Sequence, residues 1–316
     1  MGNREKQKPF RLPTPYSLCP IPNSLLPALR KVKPPHQSIA IVGPGRLGQA
    51  LARLLAEAGF PIRFVAARRQ SAARRAARFI GSGRSVGLNA SELSSASVIF
   101  ITTSDSAVQG VAERLAALSP PRRDWSGRIV LHTSGSLPAS ALAPLKKRGA
   151  SIGSLHPFQT IPSPAAGVQN LRNGYWAIEG DPAAQRFARQ VVKALAGSAF
   201  VISVENRVLY HAAAFVVCPT IVTLMDWSAR MLERAGVPRK AIPPMLHRFV
   251  AETVDNFAQF GGRQSLTGPA ARGDWPVLRR HLTELRREFP EAVPLYRELV
   301  RAMLRLAGKR PARGLL

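Results

Sequence analysis

A glycine-rich turn between an apolar strand and an amphipathic helix constrains the fold of this chain more than any other feature. The turn, Gly43-Pro-Gly-Arg-Leu-Gly48, follows the apolar segment Ile39–Val42. In a G-x-G-x-x-G sequence the first glycine permits the tight turn, the second lets a pyrophosphate approach the backbone, and the third lets the helix pack on the strand. The amides at the helix N-terminus then face the phosphates.

We therefore predict a dinucleotide site at this turn. The residues predicted to form it are Gly43, Gly45, Arg46, Leu47 and Gly48. The alternative is a glycine turn in an α/β fold that binds no ligand.

Basic residues follow the second predicted strand, at the place where an NAD-specific site carries an acid. Residues 62–66 lead into Arg68 and Arg69, and no Asp or Glu occurs between Glu57 and Glu92. Guanidinium groups bind phosphate through paired hydrogen bonds, so these arginines suit a 2′-phosphate. We predict NADP rather than NAD. The alternative is that both arginines begin a solvated basic helix.

The alternation of strands and helices from Ser38 onward predicts a Rossmann-like, doubly wound parallel sheet. Residues 174–178 and 199–202 are predicted to extend it. In such a sheet ligands bind beyond the carboxyl ends of the strands. The polar residues predicted to line the cofactor cleft there are Thr102, Thr103, Ser104, His132 and Ser134. Ser104 can instead cap the helix that follows.

Two further histidines stand where a proton could be exchanged with a substrate. His156 follows the short predicted strand 150–154, and His211 begins a long apolar helix. A histidine can act as a general acid or base near neutral pH. We predict His211 as the first choice for this role and His156 as the second. For either one, the alternative is a histidine held by structural hydrogen bonds.

From Val204 the pattern becomes helical, with predicted helices over 208–231, 242–260, 275–287 and 291–307. The polar loop 265–275 presents Thr267 and Arg272, which we predict to orient the substrate; alternatively the loop is only a helix connector. We divide the chain into a disordered leader rich in proline and basic residues (1–37), a cofactor-binding domain (38–203) and a helical domain for substrate binding and dimerisation (204–316).

The net charge of +27 could attract nucleic acid or an anionic membrane. The arginines are scattered and no aromatic-rich basic motif occurs, so we expect solvated basic faces and sites for anionic ligands, and no nucleic-acid partner. Two cysteines do not make a disulfide framework or metal site. The apolar run 212–225 is short for a membrane span and contains Pro219. We expect a cytoplasmic protein without a membrane partner.

Five motifs, in order, resemble those of bacterial proteins that join a Rossmann-like domain to a domain of unknown function numbered 2520. They are Gly43-Pro-Gly-Arg-Leu-Gly48, His132-Thr-Ser-Gly-Ser136, Gly153-Ser-Leu-His-Pro-Phe-Gln159, Tyr210-His-Ala-Ala-Ala214 and Leu266-Thr-Gly-Pro269 with Arg272-Gly-Asp274. The family is similar in plan to the 6-phosphogluconate dehydrogenase, pyrroline-5-carboxylate reductase and ketopantoate reductase superfamily. The resemblance implies an NADP-binding oxidoreductase fold and a homodimer formed through the helical domain.

The chain departs from the wider superfamily on the helix that carries His211. The resemblance implies that a Lys and an Asn on this helix assist the reaction. Here Arg207 precedes Tyr210 and no Asn lies in the following turns. This departure argues against a hydroxyacid-type mechanism.

The leading hypothesis is an NADP(H)-dependent oxidoreductase that transfers a hydride between the nicotinamide and a small anionic carbonyl, imine or hydroxyl compound. The second is a non-catalytic NADP-binding sensor or scaffold, which the absent Asn favours. Substrate-dependent NADPH consumption separates these two. A third, nucleic-acid binding driven by charge, predicts binding that weakens steeply with salt.

Overall fold

The computed structural model of the chain describes residues 37–118 and 125–310, and the account below concerns these residues. The predicted leader, except for Gln37, lies outside them. The described chain forms two compact units, one that ends at Thr223 and one that begins at Leu224. We call them the α/β unit and the helical unit.

One eight-stranded sheet forms the centre of the α/β unit. Its strands are β1 (Ile39–Val42), β2 (Ile62–Ala67), β3 (Arg84–Gly87), β4 (Val98–Ile101), β5 (Ile129–His132), β6 (Ser151–Pro157), β7 (Tyr175–Gly180) and β8 (Ser198–Val201). They lie in the order β3-β2-β1-β4-β5-β6-β7-β8. Strands β1 to β6 are mutually parallel, and β7 is antiparallel to β6 and parallel to β8. The Rossmann-like fold is confirmed, and the added strands β7 and β8 run in the opposite direction to the rest.

Helices cover both faces of the sheet, which explains why its central strands are apolar throughout. The helices of the α/β unit are α1 (Arg46–Glu57), α2 (Gln70–Ile80), α3 (Asp105–Ala117), α4 (Ala143–Lys146), α5 (Pro164–Asn170) and α6 (Pro182–Ala194). Strand β1 shows the division: Ile39 and Ile41 pack in a layer with α1, α2 and α6. Ala40 and Val42 pack in the opposite layer with α3 and α4.

The sequence does not predict strand β3. It is short, it lies at the edge of the sheet, and only Val86 among its side chains is buried. With so little apolar content, its sequence does not alternate strongly enough to predict a strand.

The chain continues through five more helices. These are α7 (Arg207–Arg234), α8 (Ile242–Ser265), α9 (Gly268–Arg272), α10 (Trp275–Glu288) and α11 (Val293–Ala307). Helix α7 crosses the boundary between the units. In the helical unit, α10 and α11 share a small core of Leu278, Leu282, Val300 and Leu304. The loop predicted at 265–275 holds the short helix α9, and Asp274 caps α10 by accepting a hydrogen bond from the Val277 amide at 3.3 Å.

Helix α7 runs without interruption past Pro219. Proline has no N–H for the carbonyl of Phe215, and the Thr220 hydroxyl approaches that oxygen at 3.4 Å instead. The segment 204–234 is long and apolar enough to cross a membrane, with a mean hydropathy of 1.9 in its most apolar window. The sequence prediction that this stretch is too short to span a membrane is wrong, because the helix extends well beyond residues 212–225. Length and composition are weak evidence for a span on their own.

Candidate functional site

The glycine turn leaves an open backbone at the start of α1. Gly43 has a φ of 76°, and a Cβ there would overlap Thr103 Cγ2. A Cβ on Gly48 would overlap the Thr102 hydroxyl, so α1 lies against the end of β4 only because this residue is glycine. Gly45 is exposed, and no side chain caps the first amides of α1. These amides are therefore available to an anion.

A cavity of about 700 Å³ opens beside this turn, between the ends of β1, β2 and β4. Four exposed arginines line it: Arg68, Arg69, Arg75 and Arg114. No acidic side chain lines it, and none of the four arginines makes an ion pair with any residue between 37–118 or 125–310. Four like charges without counter-charges among the described residues give this cavity a positive potential, which attracts anions.

The sequence does not predict two of these arginines, Arg75 and Arg114, as cavity residues. Arg75 lies three residues after Ala72 on α2, and Arg114 lies four residues after Gly110 on α3. Ala72 and Gly110 also line the cavity. Residues three or four apart share a helix face. That spacing was the available signal, but the sequence does not show which face of either helix meets the cavity.

The residues predicted at the end of β4 separate into two groups. Thr103 and Ser104 line the cavity, and the Thr103 hydroxyl is buried without a hydrogen-bond partner in the described structure. Thr102 is buried below the turn, where its hydroxyl donates to the Gly43 carbonyl at 2.7 Å. Of the predicted turn residues, Arg46 is exposed and Leu47 packs on the core. The cofactor contacts predicted for these residues stay predictions.

His132 and Ser134 are buried at the end of β5, and their polar atoms are engaged within the protein. His132 Nε2 lies 3.1 Å from the Pro138 carbonyl, and Nδ1 accepts from the Ser134 amide at 3.2 Å. The Ser134 hydroxyl accepts from the Leu137 amide at 3.0 Å. Burial lowers the pKa of His132 to about 4. Both residues shape the loop after β5, and their predicted cofactor contacts stay predictions.

His156 and His211 come together beside this loop. Their ring centroids are 6.0 Å apart, and a Cβ on Gly135 would lie 2.7 Å from His156 Nε2 and from His211 Cδ2. His156 Nδ1 is 3.0 Å from the Tyr210 hydroxyl. Burial, with His211 and Arg207 nearby, lowers the pKa of His156 to about 4, and burial raises that of Tyr210 to about 12. At neutral pH, His156 is an uncharged ring beside an un-ionised phenol.

Arg207, one turn before His211, is 1% exposed and contacts both the loop after β5 and strand β6, which carries His156. Its guanidinium donates to the Ser154 hydroxyl and to the Ser134 carbonyl, each at 2.7 Å. Glu179 supplies a carboxylate at 3.7 Å. Burial lowers the pKa of Arg207, and the Glu179 carboxylate opposes that shift. Arg207 thus ties α7 to β5 and β6, and we assign it a structural role.

A second cavity, of about 370 Å³, opens at these histidines. His156, His211 and residues of α7 line it, among them Phe215 and Cys218, and Phe158 lies at its side. No Lys, Arg, Asp or Glu of the described chain lines it. These two cavities of the α/β unit therefore differ in character, since the first is strongly cationic and the second is largely apolar.

Thr267 and Arg272 lie at the two ends of α9, in the helical unit. Thr267 lines an apolar cavity of about 400 Å³ in that unit, together with His281, whose Nδ1 is 2.8 Å from the Tyr296 hydroxyl. The predicted role of Thr267 and Arg272 in orienting a substrate stays a prediction.

The buried histidines predict an acid-sensitive fold. His132 has a pKa near 4 in the folded chain, against 6.5 for an ordinary histidine. Between these values the unfolded chain binds more protons than the folded chain, so the free energy of unfolding rises with pH. The contribution of His132 to that free energy is complete above pH 6.5. We expect this contribution to fall by about 3 kcal/mol between pH 6.5 and 4. Urea unfolding at several pH values measures this slope.

The matched variants for this measurement are His132→Gln and His247→Gln. His247 is exposed on α8, so its replacement should leave the slope unchanged. His132→Gln should flatten it. Equal slopes in both variants would contradict the assignment.

Two family models match the sequence: a Rossmann-like domain over residues 23–157 and the Domain of unknown function (DUF2520) over residues 174–303. No curated protein sequence matches the chain significantly.

Solved structures share the fold. A candidate NADP oxidoreductase of Bacteroides fragilis has a TM-score of 0.69 and 22% identity, over 85% of this chain and 98% of that one. Protein TM1727 of Thermotoga maritima has a TM-score of 0.64 and 24% identity, over 85% and 98% of the two chains. The imine reductase of Streptomyces aurantiacus has a TM-score of 0.61 and 16% identity, over 85% and 94%. At these identities the likeness establishes the fold alone.

Proposed function

We propose that this chain, which belongs to the family that joins a Rossmann-like domain to a DUF2520 domain, is an NADP(H)-dependent oxidoreductase acting on a small carbonyl, imine or hydroxyl compound. The observation that carries the proposal is the cavity in which an open glycine turn meets four arginines without counter-charges. The solved structures of this fold include a candidate NADP oxidoreductase and an imine reductase, which agrees with it.

The cationic cavity fits NADP better than NAD. The α1 amides and Gly45 can hold the pyrophosphate, and the unpartnered Thr103 hydroxyl offers a further hydrogen bond. Arg68 and Arg69, directly after β2, would hold the 2′-phosphate, because β2 ends where the adenosine ribose is bound in this fold. An acid that would select NAD is absent from the lining.

His211 is the proposed source of the proton that must accompany the hydride, and NADPH would supply the hydride when it is bound. His156, the second choice from the sequence, is uncharged at neutral pH, so it would donate a hydrogen bond to the substrate rather than a proton. When the Tyr210 hydroxyl donates to His156 Nδ1, the neutral ring carries its proton on Nε2, which faces Gly135. Arg207 joins α7, which carries His211, to β6, which carries His156, through its hydrogen bond to Ser154.

The direct test is NADPH oxidation by the full chain against a panel of small ketones, aldehydes and cyclic imines, followed by absorbance. We expect at least one compound to raise the rate above that with NADPH alone. NADPH binding with no oxidation across the panel would favour the second candidate, a sensor or scaffold. The absence of Asn from α7 is the observation that favours that candidate.

We also propose that the protein is a cytoplasmic homodimer. Helix α8 has one buried residue, Ile242, and several of its large apolar side chains are exposed: Met245, Phe249, Val254, Phe257 and Phe260. The same helix carries the exposed Arg248–Glu252 ion pair. Exposed apolar surface interleaved with charge suits a protein partner better than lipid, and a second copy of the chain is the partner proposed.

Light scattering tests the dimer without detergent. We expect a mass twice the 34.2 kDa of one chain. Phe249→Asp combined with Phe257→Asp should reduce it to one chain, because a charge on that face would be buried without a partner. The control is Arg279→Asp, at an exposed position of α10. A wild-type protein with the mass of one chain, or a protein that is soluble only when detergent is present, would contradict the proposal.

A further inference from the structure

We infer that the cavity at His156 and His211 binds an uncharged substrate with a compact apolar body, rather than the anion expected from the sequence. The inference rests on the proposed function and names the substrate class of that same site. Its basis is the separation of charge between the two cavities of the α/β unit.

The basic side chains of the described residues lie away from this cavity. Four arginines line the cavity at the glycine turn, whereas no Lys or Arg within 37–118 or 125–310 lines the cavity at the histidines. Arg207 is close in sequence, but its guanidinium donates to Ser154 and Ser134 and lies 3.7 Å from the Glu179 carboxylate. Its Nε has no hydrogen-bond partner in the described structure, but Arg207 is 1% exposed and does not line the cavity, so it does not present a charge to a substrate there.

The polar groups of the cavity are suited to a neutral carbonyl or imine. His156 is uncharged at neutral pH, so it can offer a hydrogen bond but no counter-charge. No Lys or Arg of the described residues lines the cavity, so a carboxylate held there has no permanently charged partner to replace the water that it loses. Phe158 and Phe215 flank the histidines and supply apolar surface. A cavity of about 370 Å³ leaves room for a body the size of one or two small rings.

The test compares acetophenone with 4-acetylbenzoate, which differ by one carboxylate. Binding of each is measured by calorimetry to the full chain saturated with NADP⁺, which cannot donate a hydride. We expect acetophenone to bind at least tenfold more tightly. Tighter binding of 4-acetylbenzoate, or no binding of either at millimolar concentration, would overturn the inference.

Two lysine variants on α7 make the result specific to the cavity. Ala214 lines it, whereas Ala213 is an exposed neighbour that does not. Ala214→Lys should raise the affinity for 4-acetylbenzoate about tenfold, and Ala213→Lys should leave it unchanged. An equal effect of both lysines would mean that the whole surface, and not the cavity, sets the preference, and would overturn the inference.

The outcomes separate this inference from the proposed function. Discrimination in binding, with no NADPH oxidation by any compound, would leave the substrate class standing and remove the oxidoreductase proposal. Faster NADPH oxidation with 4-acetylbenzoate than with acetophenone would support the oxidoreductase proposal and overturn the inferred substrate class.

Discussion

Replacing His211 by alanine should lower turnover by at least about a hundredfold, because a positioned general acid contributes a factor of this size. NADPH affinity should stay within about twofold of the wild type, since the proposed cofactor cavity at the glycine turn shares no lining residue with the cavity at the histidines. The measurement is kcat under saturating NADPH, with NADPH binding followed in parallel by fluorescence.

The control for this variant is His247→Ala, at an exposed position of α8. Its turnover should match the wild type. If His211→Ala keeps its turnover and His156→Ala loses it, the hydrogen bond from His156 matters to the reaction and His211 is not the proton donor. If both keep it, the pair has no catalytic role.

Arg207→Met should destabilise the folded chain by about 3–5 kcal/mol, the cost of removing one partner from a buried charged network. Without the guanidinium, the Glu179 carboxylate loses the cation that lies 3.7 Å away, and the Ser134 carbonyl loses its hydrogen-bond donor. Urea unfolding gives the free energy. Arg189→Met, at an exposed position of α6, is the matched control and should change it by less than about 0.5 kcal/mol.

If Arg207→Met lowered the free energy of unfolding no more than Arg189→Met does, the guanidinium would not stabilise the contact of α7 with Ser134 and Ser154. Arg207→Lys should recover part of the stability but not all of it. One ammonium cannot reproduce the two fixed hydrogen bonds to Ser154 and Ser134.

The sequence predicts the first half of the fold well, because its signals are local. The apolar run of β1, the glycine turn and the leucine face of α1 lie within 20 residues and need no distant contact to be interpreted. The same holds for β7 and β8, whose sequences predict strands. Their reversed direction is set by pairing between β6 and β7, which the pattern of either strand does not contain.

The candidate site is less predictable, because it depends on contacts between distant segments. His156 and His211 lie 55 positions apart and share Gly135 as a neighbour, which no spacing reveals. The hydrogen bonds of buried Arg207 depend on Ser134, in the loop after β5, and on Ser154, in β6. The apolar lining of the second cavity combines the end of β6 with one side of α7, so its lack of charge appears only after folding.

The most direct test of the central claim is a titration of the full chain with NADPH and with NADH, by fluorescence or calorimetry. We predict that NADPH binds at least about tenfold more tightly. Arg68→Ala combined with Arg69→Ala should weaken NADPH by about a hundredfold, because each lost charge-assisted contact is worth about 1.5 kcal/mol. NADH binding should be unchanged. Arg74→Ala with Arg78→Ala, at exposed positions of α2 outside the cavity lining, is the control and should keep the preference. Equal affinity for the two dinucleotides, or no binding of either, would contradict the account.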